Sequence, residues 1–389
     1  MSSPFEIKGW CPGALRPMES GDGFVVRVRP HAGTLTAAEA AAIATGARLY
    51  GNGLIDLTSR ANVQLRGISE ATHRPLIEHL AAAGLIDGDV ALETRRNIVV
   101  TPFGTGEVRA QTLAIAASLE AALASAPSLP GKFGFAIDTA ERRVLALTSA
   151  DIRIERDGSG GLIVRADGAP TGRSVTVEDA AEIALRLARW FVDSGGVSEG
   201  RGRMARHLKR GAQIDRALSG SVEPAAAQPP SQPGGVREGL LVGAEFGQVR
   251  AETLEALARR CSALRVTPWR MLLLVDAVNP LGIADLMTVP DDPRLRVTAC
   301  TGAPGCPQAL APVRDLARSL APFVPVNAHL HVTGCAKGCA MPGAAPFTLL
   351  ATPHAFSLIL NGSAQAEPVR TDLAGDEIAA NPSLVFEPA

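Results

Sequence analysis

The chain repeats itself, and the repeat limits what it can fold into. Gly239-Leu-Leu-Val, a helical stretch from about Ala251 to Leu264, and Leu264-Arg-Val-Thr-Pro-Trp-Arg270 run parallel to an earlier series. That series is Gly23-Phe-Val-Val, an Ala-rich helix after Thr36, and Ile55-Asp-Leu-Thr-Ser-Arg60. Further on, Arg294–Thr298 echoes Asn97–Thr101, and His329–Val332 echoes Phe133–Ile137. Two copies of one pattern predict two half-molecules about a pseudo-twofold axis. Between them Ser219–Gly235 is rich in Pro, Ala, Gly and Ser with no periodicity, and reads as a linker. Two similar open sheets facing each other across such an axis leave a cleft large enough for a macrocycle.

Each copy opens with the same run of elements. Phe24–Arg29 alternates apolar and basic residues, as a half-buried strand does. Thr36 with Glu39 makes a capping box for a helix to about Leu49. Leu54–Leu57 and Val63–Leu65 read as strands, and Thr72–Ala83 as a helix with an apolar stripe. This β-α-β-β-α order is that of a ferredoxin-like half-domain. Then come a strand Ile98–Val100, a helix Glu107–Ala124, and segments Phe133–Ile137, Val144–Thr148, Ile152–Glu155 and Leu162–Ala166, expected as antiparallel strands. A helix Val177–Phe191 and a short basic segment Arg201–Arg210 close the first copy. The expected fold is α+β. It has an N-terminal arm at 1–20, half-domains at 21–88 and 236–290, and α/β domains at 89–218 and 291–389, divided by the linker 219–235.

Only the second copy carries Cys300, Cys306, Cys335 and Cys339, spaced C-x5-C and C-x3-C among Gly, Pro, Ala and Thr. Two close pairs of this kind supply four thiolates to one metal centre, and small neighbours let backbone N–H groups approach the sulfurs. Structural zinc knuckles run from C-x2-C to C-x4-C, so the x5 loop favours an iron–sulfur cluster over zinc. A disulfide scaffold is excluded by sparseness, with six cysteines in 389 residues. Of the other two, Cys261 falls in a predicted helix and reads as core, while Cys11 sits between Trp10 and Pro12 in the turn-rich opening.

A net charge of −1 and 46% hydrophobic residues describe an ordinary globular chain with no bulk attraction to nucleic acid. Met1–Glu6 lacks signal-peptide character and no apolar run reaches membrane-spanning length, so a reducing cytoplasm is the expected home. There is no G-x-G-x-x-G after a strand and no phosphate-binding loop, which leaves electrons to come from a separate donor.

The anion-binding candidates lie mostly in the first copy. Thr58-Ser-Arg60-Ala-Asn62-Val-Gln64-Leu-Arg66, read as one extended segment, puts Arg60, Asn62, Gln64 and Arg66 on one face. Such a row of planar donors suits a polycarboxylate. Arg96 and Asn97 precede a strand, and Lys132 sits at the tight turn Leu129-Pro-Gly-Lys132-Phe-Gly. Arg201, Arg203, Arg206, Lys209 and Arg210 form a separate basic cluster. His329 and His331 are an i,i+2 pair on a predicted strand.

Taken together these motifs resemble the sulfite/nitrite reductase superfamily over essentially the whole chain. They are the repeated half-domains, Thr-Ser-Arg-Ala-Asn-Val-Gln-Leu-Arg, Arg-Asn-Ile-Val-Val-Thr-Pro, Leu-Pro-Gly-Lys-Phe-Gly and both cysteine pairs. The resemblance implies that Cys300, Cys306, Cys335 and Cys339 bind a 4Fe–4S cluster beside a cleft. In the reductases that cleft holds sirohaem, and the position of Cys339 bridges the cluster to the haem iron. Cys-Pro-Gly-Ala-Leu-Arg-Pro-Met-Glu-Ser-Gly-Asp-Gly and Val-Thr-Gly-Cys-Ala-Lys-Gly-Cys-Ala look like the branch that acts on precorrin-3A in aerobic cobalamin synthesis. For that branch the implied reaction uses O2 and external reducing equivalents, from an NADH-linked reductase or a ferredoxin. It hydroxylates C20 and closes a ring-A acetate as a γ-lactone. A mononuclear non-haem iron is also implied, with unassigned ligands; His329 and His331 are candidates. By motif match Arg60, Arg96 and Lys132 keep three of the four cations with which sulfite reductases hold their small oxyanion, while Gly134 replaces the fourth, a Lys. That loss weakens a small dianion more than a large polycarboxylate. It favours a tetrapyrrole substrate bound by Arg60, Asn62, Gln64, Arg66, Arg96, Asn97 and Lys132. The alternative expectation is a sirohaem-dependent sulfite or nitrite reductase.

Overall fold

In a computed structural model, which describes residues 12–279, 282–283 and 285–387, the chain forms four β-sheets with helices packed on them. Cys11 lies outside the described residues. The first sheet runs Met18–Ser20, Gly23–Val28, Val63–Ile68, Leu54–Leu57, Gln248–Arg250. Its counterpart runs Gly234–Val236, Gly239–Ala244, Met271–Val275, Ala263–Val266, Thr34–Thr36. Each copy therefore lends one short strand to the other's sheet: Thr34–Thr36 pairs with Ala263–Val266, and Gln248–Arg250 with Leu54–Leu57.

This reciprocal exchange is the pseudo-twofold in its most concrete form. Each lent strand leads into a helix, Ala37–Tyr50 or Ala251–Ala258, and the two helices pack together. The result is one apolar core holding Ile43, Ile55 and Leu65 with Leu254, Leu273 and Leu274, all essentially buried. Truncating any one of these Leu or Ile residues to Ala would cost about 2–5 kcal/mol, so the two halves stand or fall together. The copies also match in detail. Thr58 N–H bonds Asn62 O at 2.9 Å, and Thr267 N–H bonds Met271 O at 3.1 Å. Ala61 and Arg270, one residue before each acceptor, both have φ near +60° (53° and 61°).

Those turns correct one expectation. Thr58–Asn62 is not extended; the strand begins at Val63, so only Gln64 and Arg66 share a strand face. The α/β domains bring a second correction. Ile98–Val100, Phe135–Asp138 and Ile152–Arg156 pair in parallel, and antiparallel pairing starts only with Leu162–Ala166 and Arg173–Val175. Val144–Thr148 is a turn, because Asp138 accepts the Leu145 N–H at 2.6 Å and Arg153 takes the carbonyls of Leu145 and Thr148. The second α/β domain repeats this plan. Val297–Ala299, Leu330–Thr333 and Ala345–Ala351 are parallel, then Phe356–Gly362 and Arg370–Leu373 are antiparallel. Gly220–Gly235 does not hang free: Val222, Pro224 and Ala227 bridge to Gly172, Asp157 and Arg143. No helix among the described residues is long and apolar enough to cross a membrane.

Candidate active site

Cys300 directly follows the parallel strand Val297–Ala299, and Cys335 follows Leu330–Thr333 after Gly334. Carboxyl ends of parallel strands are where open α/β sheets hold their ligands. All four thiols of this set are free, which removes a disulfide reading. Gly334 donates its N–H to Cys300 Sγ at 3.2 Å, and the Lys337 backbone N–H bonds the Cys335 sulfur. Gly334 has to be glycine, since a Cβ there would stand 2.6 Å from Ala309 Cβ. Burial pushes the Cys335 and Cys339 thiols up, and the other cysteines of the set add to the rise. The thiols thus stand close enough to feel one another's charge, while among the described residues no three His, Cys, Asp or Glu side chains close on a single ion. Free thiols, backbone N–H donors aimed at sulfur and a glycine cradle fit a 4Fe–4S cluster.

The thiols face a cleft of about 330 Å³ whose wall combines both copies. Cys300 and Cys339 line it, with Arg314 and Arg270 from the second copy and Arg27, Asp56, Thr58 and Gln64 from the first. Strand register explains the first-copy wall: Arg27 lies opposite Gln64, Gln64 opposite Asp56, and Asp56 opposite Gln248 of the lent strand. Arg27 grips Gln64 Oε1 through Nε (3.0 Å) and Nη2 (2.6 Å), and Gln248 Nε2 donates to Asp56 at 2.8 Å. Arg270 donates to Ala340 O at 3.1 Å and Arg314 to Cys300 O at 3.2 Å, which fixes both guanidinium groups beside the cysteine loops. Burial lowers the pKa of each, and for Arg270 the charge of Arg314 lowers it further; Asp56 works the other way. Among the described residues Asp56 is the one carboxylate lining this cleft, against three arginines.

The residues singled out in the sequence are distributed around this cleft in different ways. Gln64 lines it. Arg66, 5% exposed, lies beneath, paired with Asp22 (2.7 Å) and Asp56 (3.0 Å) and donating to Gly305 O at 2.8 Å. It joins the first sheet to the Cys306 loop. Arg60 leaves the turn towards the Lys132 loop, where it donates to Lys132 O (3.1 Å) beside Ser149 Oγ (3.5 Å). Lys132 is exposed, and Asn62 is buried in the turn. Arg96 is buried on Asp87 (2.7 Å) and Arg29 O (2.8 Å), and Asn97 spends its amide on the carbonyls of Thr94, Gly131 and Phe133. A Cβ on Gly134 would meet Asn97 O at 3.1 Å and lie 3.9 Å from Arg60 Nη1.

Arg27, Arg270 and Arg314 were not singled out. Arg270 carries a readable signal, because it ends the segment Leu264–Arg270 that repeats Ile55–Arg60, where the candidate Arg60 lies. Arg314 had none. His329 bonds Thr298 Oγ1 at 2.8 Å, whereas His331 is wholly buried and neither ring nitrogen has a hydrogen-bond partner among the described residues. Burial, then His329 and Arg270, lower the His331 pKa to about 4. One orphaned imidazole does not make a mononuclear iron site.

The likenesses to known proteins agree with this architecture. Residues 16–83 match the nitrite/sulfite reductase ferredoxin-like half domain. The chain is 29% identical to a precorrin-3B synthase from Sinorhizobium sp., covering 93% of this chain and 84% of that protein. It is 25% identical to a ferredoxin–nitrite reductase from Synechococcus elongatus, covering 88% and 78% respectively. The solved structure of the Mycobacterium tuberculosis NirA protein superposes with a TM-score of 0.67 at 20% identity, over 92% of this chain and 79% of that one. The chain has the sulfite/nitrite reductase fold with its ferredoxin-like half domain, and along nearly its whole length it is similar to a precorrin-3B synthase.

Proposed function

We propose that the chain is an oxidoreductase of aerobic cobalamin synthesis that converts precorrin-3A to precorrin-3B. One atom of O2 enters at C20, the other leaves as water with two electrons from an external donor, and a ring acetate closes as a γ-lactone. The observation that carries this reading is the convergence of Arg27, Arg270 and Arg314 on a cleft walled by Cys300 and Cys339 and holding a single carboxylate, Asp56. A guanidinium such as Arg270, whose pKa burial and then the charge of Arg314 lower, is stabilised by an anionic ligand, and Arg pairs with carboxylates bidentately. A reduced tetrapyrrole with acetate and propionate arms brings that charge.

A 4Fe–4S cluster on the four thiolates would supply single electrons at this wall. The chain's own groups do the rest. Arg27, held by Gln64, and Arg270, held by Ala340 O, present fixed donors to carboxylate arms. Arg66 holds the Cys306 loop against the first sheet. At about 330 Å³ the cavity is near the lower end of the range for small-molecule sites, about 300–1,000 Å³. A tetrapyrrole therefore extends beyond it, past Ser59 and Arg60.

The likeness to a nitrite reductase supports one other reading, a sirohaem-dependent reductase using the same cleft. Anaerobically purified protein supplied with precorrin-3A, a reductant and O2 separates the two. The proposal expects O2 uptake that requires precorrin-3A, and a rise of about 10- to 100-fold in KM for Arg270→Gln, the scale of one hydrogen bond to a charged group. A haem band in the purified protein with sulfite or nitrite reduction, and no tetrapyrrole-dependent O2 uptake, would sink it.

A further inference from the structure

A second cationic cavity lies outside the cleft, on the first α/β domain. It measures about 220 Å³ and is lined by Gly195, Gly196, Ser198, Gly202, His207 and four arginines, Arg201, Arg203, Arg206 and Arg210. The segment 193–210 holds five Lys or Arg residues against two acids, Asp193 and Glu199. Among the described residues only Arg203 of these has a carboxylate partner: its Nε donates to Asp151 at 2.9 Å. Arg201, Arg206 and Arg210 make no ion pair among the described residues. The uncompensated field reaches His207, whose pKa is lowered by burial and then by Arg210.

The cavity is built rather than incidental. Ser198 and Arg201 exchange two backbone hydrogen bonds of 2.8 Å, closing a loop over Glu199 and Gly200. The backbones at either end of that loop touch, since a Cβ on Gly202 would stand 2.1 Å from Gly196 O. Only glycine lets the loop close against the end of helix Ala180–Asp193 and turn the arginines of the next segment over the cavity. A short series of contacts links the cavity to the cleft wall. Arg203 Nη2 donates to Ser149 Oγ at 3.0 Å, the same hydroxyl that Arg60 Nη2 approaches at 3.5 Å. Arg60 in turn follows Ser59, which lines the cleft.

We infer that this cavity is an oxyanion-binding site, taking a carboxylate or phosphate group through Arg201, Arg206 and Arg210. Two sources share that chemistry: a peripheral carboxylate of the tetrapyrrole reaching past Arg60, or a free small oxyanion. The first source rests on the function proposed above; the site itself does not. Arginine suits the role because its donors fork onto two oxygens, and an anion held among Arg201, Arg206 and Arg210, all exposed at the cavity, lowers their mutual repulsion.

The test is calorimetric titration of the full chain with citrate and with inorganic phosphate at low ionic strength, with no turnover involved. Arg206→Gln/Arg210→Gln is compared with Lys209→Gln, an exposed neighbour that does not line the cavity. The expected result is a fall of at least tenfold in affinity for the double variant and little change for Lys209→Gln. Equal affinity in wild type and double variant, an equal loss in Lys209→Gln, or no measurable anion binding would each overturn the site. Adding uroporphyrin, an octacarboxylate tetrapyrrole, then identifies the source: displacement of citrate from this site assigns it to a tetrapyrrole arm, and independent binding assigns it to a free oxyanion.

Discussion

Arg66 lies in the motif expected to face the substrate, yet its partners make it a clamp, and the two roles separate cleanly by mutation. Arg66→Met removes a guanidinium that is 5% exposed and holds Asp22 through two bonds (2.7 and 2.9 Å), Asp56 at 3.0 Å and Gly305 O at 2.8 Å. Asp22 and Asp56 stay mostly buried and lose their close guanidinium, Asp22 keeping the Asn52 amide (3.1 Å) and Asp56 the Gln248 amide (2.8 Å) with Arg314 at 4.0 Å. Breaking a buried ion pair from one side costs about 3–5 kcal/mol, because the remaining charge is uncompensated. At about 2–4 °C per kcal/mol for a cooperative unit of some 150–250 residues, Tm should fall on the order of 10 °C. Differential scanning calorimetry on the cluster-loaded protein measures this. Loosening Gly305 should also lower iron retention, since that residue sits inside the Cys300–Cys306 loop. An unchanged Tm with a weakened affinity for a tetrapyrrole polycarboxylate would refute the clamp and restore Arg66 to the substrate-facing surface.

Two further outcomes follow from single residues. Burial lifts the Asp138 carboxyl to about 7, with the charge of Glu155 adding to the rise against the Leu145 N–H, so the native state keeps a proton that the unfolded state releases near 3.8. Stability from this residue is therefore lost as pH rises from about 4 to about 7, on the order of 4 kcal/mol at most. Asp138→Asn should gain stability relative to wild type between pH 5 and pH 8 in thermal melts, and a difference that does not change with pH would contradict the raised carboxyl. Gly334→Ala forces a methyl to within 2.6 Å of Ala309 Cβ and shifts the N–H that bonds Cys300. Iron and sulfide per chain should drop well below wild type, whereas full loading would show that the cradle tolerates a side chain.

Much of the scaffold was legible in the sequence because it rests on local chemistry. The Thr36/Glu39 box is formed from both sides, with Glu39 Oε2 accepting the Thr36 N–H at 2.7 Å and Thr36 Oγ1 accepting the Glu39 N–H at 3.2 Å. The duplication and the cysteine set depend on spacing alone. The exchange of Thr34–Thr36 and Gln248–Arg250 was not legible, since a strand of three residues carries no period and its partner is fixed only in three dimensions. The alternation from Arg60 to Arg66 looked continuous because nothing in Arg60-Ala-Asn62 marks the positive φ at Ala61. Arg66 and Arg96 looked free because their partners, Asp22, Asp56 and Asp87, lie 9–44 residues away in sequence. Conversely Arg270 and Arg314 reach the cleft only because the second copy folds back onto the first.

Whether Cys300, Cys306, Cys335 and Cys339 hold an iron–sulfur centre at the wall of an arginine-lined cleft decides the function proposed for this chain. Iron, zinc and acid-labile sulfide counts on anaerobically purified protein, wild type beside Cys335→Ser, address this directly. About four irons and four sulfides per chain are expected in the wild type, with the broad visible absorbance of a cluster, and both should be lost in the variant together with precorrin-3A-dependent O2 uptake. Stoichiometric zinc, iron without sulfide, or undiminished turnover in a cluster-free Cys335→Ser would contradict it.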